Sequence, residues 1–128
     1  MEKYEKLNEI INSYLKKASE ISRNINKKLG QDAVTEKTSS YKALSEYIIG
    51  IEGKAEFSIK EKGFKEFYIP SKNGIIKIDT YCRGTSIEHE IILEDISEEE
   101  AGNILKDITG NTLLSLEERL NKIKKSKI

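Results

Sequence analysis

Few of the side chains that build catalytic and metal sites occur in this chain of 128 residues. It has one cysteine, one histidine and no tryptophan. A single cysteine excludes an internal disulfide, and it predicts a reducing, cytoplasmic location. The sequence also lacks a glycine-rich phosphate loop, a cysteine–histidine cluster at metal spacing and a serine nucleophile elbow. We therefore expect a protein that is not an enzyme and that uses neither a metal nor another cofactor.

An excess of one charge and a long apolar run are also missing. Lysine and arginine together number 22, as do aspartate and glutamate, so the formal net charge is zero. A chain without net charge has no overall field to steer it toward nucleic acid or an anionic membrane. No apolar run approaches the roughly 18–20 residues of a membrane-spanning helix. The composition therefore predicts no membrane partner, and it does not favour nucleic acid.

The first 29 residues show the apolar spacing of one long helix. Seven apolar or aromatic residues recur at alternating steps of three and four, which is a heptad pattern. These seven residues are Tyr4, Leu7, Ile11, Tyr14, Ala18, Ile21 and Ile25. Gly30 follows as the predicted C-terminal cap, because glycine adopts the left-handed conformation without strain.

Such a helix is roughly 40 Å long at ~1.5 Å per residue, which is longer than a four-stranded sheet is wide. One interpretation is that it packs across its own sheet, and another is that part of the apolar stripe pairs with a second copy. The two arrangements are compatible. Because a long apolar stripe is rarely left exposed, we expect a homo-oligomer, most simply a two-fold dimer, with the seven stripe residues at its interface.

A short helix is predicted over residues 40–49, with Ser40 as its N-cap and Tyr41 and Leu44 on its apolar stripe. A second interpretation stays open for residues 46–51. Isoleucine favours strands and Gly50 weakens a helix, so this segment could instead form an extra edge strand.

Residues 54–94 alternate between apolar and polar side chains and contain three turn signals, which predicts a four-stranded antiparallel meander. A three-residue loop at 61–63 would pair Phe57 with Phe67. The two-residue alternative is disfavoured because it turns the apolar face of one strand against the polar face of the next. One face of the sheet is then apolar and the other polar.

Two further turns set the register of the remaining strands. The Asn-Gly pair at 73–74 is the typical two-residue hairpin loop, and it would place Ile69 opposite Ile78. The Arg-Gly pair at 83–84 predicts a second such loop, which would place Ile78 opposite His89. This histidine then lies on the apolar face, where we expect a neutral imidazole with a structural role.

Two helices are predicted over residues 97–126. Ser97 and Glu100 form a capping box at the start of the first helix. The apolar stripes on either side of the Gly-Asn pair at 110–111 are out of phase, which predicts a bend or hairpin between the helices. The whole pattern predicts one α+β domain over residues 1–128, in which the C-terminal helical pair covers the apolar face of the sheet.

Arginine is scarce enough to suggest candidate binding residues. The chain contains 19 lysines and three arginines, which favours arginine positions where a planar, bidentate donor is needed. The candidates for binding an anionic ligand are the three arginines and two nearby tyrosines: Arg23, Tyr68, Tyr81, Arg83 and Arg119.

Three classes of function stay open. The first is a non-catalytic, homo-oligomeric binding protein that sequesters or blocks a partner, as inhibitors, immunity proteins and accessory factors of mobile elements do. The second is a sponge that binds a small anionic or nucleotide-like ligand at a subunit interface. The third is a nucleic-acid-associated protein. The absence of catalytic groups favours the first class, in which the partner is an unidentified protein.

Overall fold

The computed structural model describes residues 3–30, 39–44, 46–47, 67–83 and 86–126. Its elements, in chain order, are helix α1 (Glu5–Leu29), the short helix α2 (39–44 and 46–47), strands β1 (Phe67–Pro70), β2 (Ile75–Arg83) and β3 (Ser86–Glu94), and helix α3 (Glu98–Ser126). The strands form an antiparallel sheet in the order β1-β2-β3. The α+β class and the long N-terminal helix are therefore confirmed. The predicted strand before β1, with its pairing of Phe57 and Phe67, lies outside the described residues.

Both predicted helices in the N-terminal part of the chain are present. Gly30 adopts a left-handed conformation, with φ 64°, and its N–H donates to the carbonyl oxygens of Asn26 and Lys27. This confirms glycine as the cap that ends α1. The described residues of 40–49 are helical, including residues 46 and 47. Residues 48–51, which complete the segment open to either interpretation, lie outside the described residues.

The register of the sheet differs by two residues from the prediction in each hairpin. Ile69 lies opposite Ile76 rather than Ile78, and His89 lies opposite Thr80 rather than Ile78. Because side chains alternate with a period of two, a shift of two residues keeps each side chain on its predicted face. The apolar face is confirmed by the residues buried on it, which are Phe67, Ile69, Ile76, Ile78, Thr80, Ile87 and Ile91.

The turn between β1 and β2 is longer than predicted, and the side chain of Ser71 explains why. The loop contains four residues, 71–74, because Pro70 pairs with Ile75. The Ser71 hydroxyl accepts hydrogen bonds from the backbone N–H groups of Asn73 and Gly74, at 3.3 and 3.0 Å. The Ser71 N–H donates to the Gly74 carbonyl at 2.7 Å. These bonds satisfy the loop backbone locally, as serine does in many turns.

Gly74 also lies against the backbone at the end of β3. A Cβ atom at this position would overlap the Glu94 carbonyl oxygen and lie 2.6 Å from the Asp95 carbonyl group. We therefore expect Gly74→Ala to lower the free energy of unfolding by roughly 1–3 kcal/mol, measured by urea denaturation. Gly110→Ala is the control, since nothing lies within 4 Å of a Cβ there. It should leave stability unchanged or raise it by up to about 1 kcal/mol. Equal effects of the two substitutions would contradict this close approach.

The C-terminal helical pair is wrong, because α3 is one continuous helix of 29 residues. Two buried threonines continue the core-facing side of α3 across the position of the predicted break. Thr109 and Thr112 are 6% and 1% exposed, and their hydroxyls donate to the carbonyl oxygens of Leu105 and Ile108 at 2.7 Å. A threonine whose hydroxyl is satisfied within its own helix can occupy a core position. The two apolar stripes therefore join into a single stripe.

Helices α1 and α3 pack side by side and run in the same direction. A Cβ atom on Gly102, near the start of α3, would lie 3.6 Å from Leu7, near the start of α1. Toward the other ends, Ile25 of α1 and Leu116 of α3 line one cavity. Both helices contribute to the apolar core beneath the sheet, whose least exposed members include Leu7, Ile11, Tyr14, Leu105, Ile76 and Ile78.

The heptad stripe of α1 is covered mainly within one chain. Five of its seven residues are buried in this structure: Leu7, Ile11, Tyr14, Ala18 and Ile25. Tyr4 and Ile21 are half-buried. The stripe therefore needs no second copy to remove it from water, which takes away the reason for placing it at an oligomer interface. The oligomer itself stays a prediction.

Candidate functional site

A chain of hydrogen bonds links α2, β3 and α1 inside the protein. The Tyr41 hydroxyl lies 3.0 Å from Nδ1 of His89, and Nε2 of His89 lies 3.0 Å from Oδ1 of Asn8. The amide nitrogen of Asn8 donates to the carbonyl oxygens of Lys3 and Tyr4. Its Oδ1 is therefore the acceptor, which assigns a hydrogen to Nε2 of His89. In a neutral ring, Nδ1 then accepts from Tyr41.

Burial in this network keeps the Tyr41 phenol in its uncharged form. Burial raises the pKa of Tyr41 well above its usual value, and the nearby Glu88 and Tyr81 raise it further. The phenol therefore stays protonated at neutral pH, where it serves as a donor and not as a base. The geometry fits a structural role for His89, with both ring nitrogens engaged.

We expect His89 to be neutral with its hydrogen on Nε2. Nitrogen NMR of the imidazole at neutral pH should show a protonated Nε2 and an unprotonated Nδ1. Tyr41→Phe should leave Nδ1 without its donor and shift that resonance. The exposed Tyr68→Phe is the control and should leave the imidazole signals unchanged. A hydrogen found on Nδ1 alone would contradict the assignment.

The outer face of the sheet, opposite the core, carries two exposed tyrosines. Tyr68 of β1 and Tyr81 of β2 are 37% and 41% exposed. Both lie on strands whose alternate side chains pack in the core, so their backbone positions are held rigidly. The described side chains of the outer face are those of Tyr68, Pro70, Ile75, Lys77, Asp79, Tyr81, Glu88, Glu90, Ile92 and Glu94.

Acidic side chains predominate on this outer face. Asp79 lies directly opposite Glu90, and Tyr81 lies opposite Glu88. Glu90 and Glu94 of β3 are the exposed carboxylates of this face, and exposed carboxylates attract cationic groups. Lys77 is the only cation among the described side chains of the outer face, and its Nζ lies 5.6 Å from the centre of the Tyr68 ring. Together these groups favour a basic partner over an anionic one.

Four of the five candidate residues for an anionic ligand are divided between the two sides of the sheet. Arg23 and Arg119 are exposed on α1 and α3, which pack on the inner side of the sheet, whereas Tyr68 and Tyr81 lie on the outer face. The Arg83 backbone pairs with Ser86 at one end of β2, and its side chain lies outside the described part. Arg119 instead lies close to residues of α2.

Arg119 lines a cavity of about 470 Å³ where the ends of α1 and α3 meet α2. Lys42 of α2 lines the same cavity, so two cations lie close to it, but the carboxylate of Glu46 is there as well. Sequence reasoning missed Lys42 and Glu46, because only the packing of α2 on the two long helices places them beside Arg119. The negative charge of Glu46 therefore partly cancels the positive charges of Lys42 and Arg119, which weakens the attraction of the cavity for an anion.

Metal and membrane sites receive no support from the described part of the chain. Within it, no group of three or more His, Cys, Asp or Glu side chains is arranged to hold a metal ion. Neither long helix combines the length and the apolar character that crossing a membrane requires. Comparisons with protein families, with curated proteins and with solved structures find no match to this chain.

Proposed function

We propose that this protein is a non-catalytic binding protein that sequesters or blocks a basic protein partner, and that it acts as a homo-oligomer. The observation that supports the proposal is the outer face of the sheet, on which two exposed tyrosines lie among four carboxylates. Tyrosine is enriched where proteins bind each other, because its ring offers a large contact area with few rotatable bonds. The exposed carboxylates of Glu90 and Glu94 on the same face would pair with lysine or arginine of the partner.

Rigidity supports the same function. Two inner side chains of β2, those of Ile76 and Ile78, are fully buried. The backbone that carries the outer side chains of that strand is therefore held in place before any partner arrives, and less conformational entropy is lost on binding. A face of this kind suits a protein that acts by occupying its partner.

The two alternatives from the sequence find less support. Phosphate groups of a nucleic acid would be repelled by the acidic outer face. A small anionic ligand would meet Lys42 and Arg119 in the cavity between the helices, but also the carboxylate of Glu46. A thermal shift with a panel of nucleotides would reveal such a ligand, since binding to the folded state raises the unfolding temperature.

The proposed function is tested by a photo-crosslinking amino acid at Tyr81, introduced into the protein in its source cell. The crosslinked protein is identified, purified and titrated against the original chain. We expect the crosslinked segment to be rich in lysine or arginine. Tyr81→Ala should weaken binding at least about tenfold, as a central aromatic anchor does, and Glu90→Lys should weaken it through charge repulsion.

The matched control is Lys16→Glu, which changes a charge on the exposed side of α1. Its affinity should stay within about twofold of the original. Higher salt should slow association, because the steering charges lie near the surface. A crosslinked segment without basic residues, or an affinity that neither Tyr81→Ala nor Glu90→Lys changes, would contradict the proposal.

A further inference from the structure

A groove of about 870 Å³ runs between α1 and α3. Its apolar lining includes Leu7 and Ile10 of α1 and Leu113 of α3. Asn8 contacts His89 of the sheet, and Ile10 lies about 200° around the helix from Asn8 at 100° per residue. The groove therefore opens on the side of the helix pair that faces away from the sheet. We call it the α1–α3 groove.

Charge changes sign along the α1–α3 groove. Because the helices run in the same direction, residues near the two helix starts lie at the same end. That end carries two carboxylates and one amine, those of Glu98, Glu99 and Lys6. Glu9 and Lys106 lie between the ends and balance each other, and the other end carries the amine of Lys17. One end therefore has a formal net charge of −1 and the other of +1.

A surface with opposite charges at its two ends is complementary to itself when one copy is reversed. The two-fold axis lies in the interface and is perpendicular to the length of the groove. It places the negative end of one copy on the positive end of the other, and the same contact occurs twice. Ile10, near the middle of the groove, then lies close to the two-fold axis. Leu114, which is 58% exposed, follows Leu113 at the edge of the groove and adds apolar surface.

We propose that the α1–α3 groove is the interface with a second copy of this chain, related by such a two-fold axis. This inference rests on the homo-oligomer of the proposed function and assigns it an interface different from the heptad stripe. Four helices meet at the centre of the dimer, two from each copy. The sheets lie on the two outer sides, which leaves Tyr68 and Tyr81 of both copies free to contact a partner.

Charge exchange tests the inference directly. One variant combines Glu98→Lys with Glu99→Lys, so both ends of its groove are positive. A second carries Lys17→Glu, so both ends of its groove are negative. At low ionic strength, where charges act over longer distances, each variant alone should dimerise at least about tenfold more weakly than the original chain.

Restoration separates this interface from a loss of folding. An equimolar mixture of the two variants should form a mixed dimer, because a basic groove then meets an acidic one. A chain that carries all three substitutions should again dimerise with itself. Light scattering after size exclusion measures each mass, and circular dichroism checks that each variant is folded. Lys16→Glu, outside the groove, should dimerise like the original chain.

Two results would overturn the inference. A dimer that persists unchanged in both variants would show that a different surface associates, while the homo-oligomer of the proposed function would stand. A folded monomer at high micromolar concentration would exclude the second copy, and the groove would then be available to a helix of another protein. The sheet-face part of the proposed function is judged separately, by the crosslinker at Tyr81.

Discussion

Replacing Ile78 with alanine is expected to lower the free energy of unfolding by about 2–5 kcal/mol. Ile78 lies in the middle of β2 and is fully buried. It is flanked by Phe67 on one neighbouring strand and Ile91 on the other, both of which are buried. Removing three carbon atoms therefore leaves a cavity that the surrounding strands cannot easily close, and the lost burial adds to the cost.

Urea denaturation followed by circular dichroism measures this effect. Leu29→Ala is the control, because Leu29 is 47% exposed at the end of α1, and it should change stability by no more than about 0.5 kcal/mol. A cost for Ile78→Ala as small as that of the control would mean that the inner face of the sheet is not the core.

Alkaline pH is expected to destabilise the protein through two buried tyrosines. Tyr14 and Tyr41 are 1% and 0% exposed, and burial raises the pKa of each well above the usual value of about 10. The unfolded chain therefore releases these protons first as the pH rises. The stability is fully present below about pH 10 and is lost above it, by about 1.4 kcal/mol per pH unit for each phenol.

Single substitutions identify which tyrosine causes the loss of stability at alkaline pH. Tyr14 donates to the Ser40 carbonyl at 2.7 Å, so Tyr14→Phe should cost about 1 kcal/mol at neutral pH. It should also reduce the loss of stability per pH unit above pH 10 by the contribution of one phenol. The exposed Tyr68→Phe should leave that loss unchanged. Ultraviolet absorbance of tyrosinate provides an independent check. If all six tyrosines ionised near pH 10 while the protein remained folded, the expectation would be wrong.

Local sequence signals predicted the ends of elements well where neighbouring atoms provide the bonds. Gly30 ends α1 through bonds to the last turn of its own helix. Ser97 begins α3, where its hydroxyl accepts from the Glu100 N–H at 3.1 Å. Both features depend on atoms within four residues along the chain, so the sequence contains everything that decides them.

The candidate site was predictable in part. Alternation along β2 and β3 places Tyr81, Glu88 and Glu90 on the polar face, and this assignment does not change when the register shifts by two residues. The sequence therefore predicted which side chains share the outer face, and only their pairing was wrong. Within one chain, Arg23 and Arg119 lie on the inner side of the sheet and Tyr68 and Tyr81 on its outer face, because scarcity of arginine carries no information about distance in space. The anion site stays a prediction.

Tertiary packing decided the features that depend on residues far apart in the chain. Gly74 contacts the backbone of Glu94 and Asp95, which no turn rule includes. Thr112 occupies a core-facing position of α3, where buried residues surround it. Its polar side chain interrupts the apolar pattern of the sequence, so that pattern predicted a break that is absent. The α1–α3 groove exists because two helices at opposite ends of the chain pack in parallel. The sequence by itself determined helix α1, the caps at Gly30 and Ser97 and the two faces of the sheet, because these depend on near neighbours. Only the tertiary structure decided the register, the continuous helix and the groove, because these depend on which distant surfaces meet.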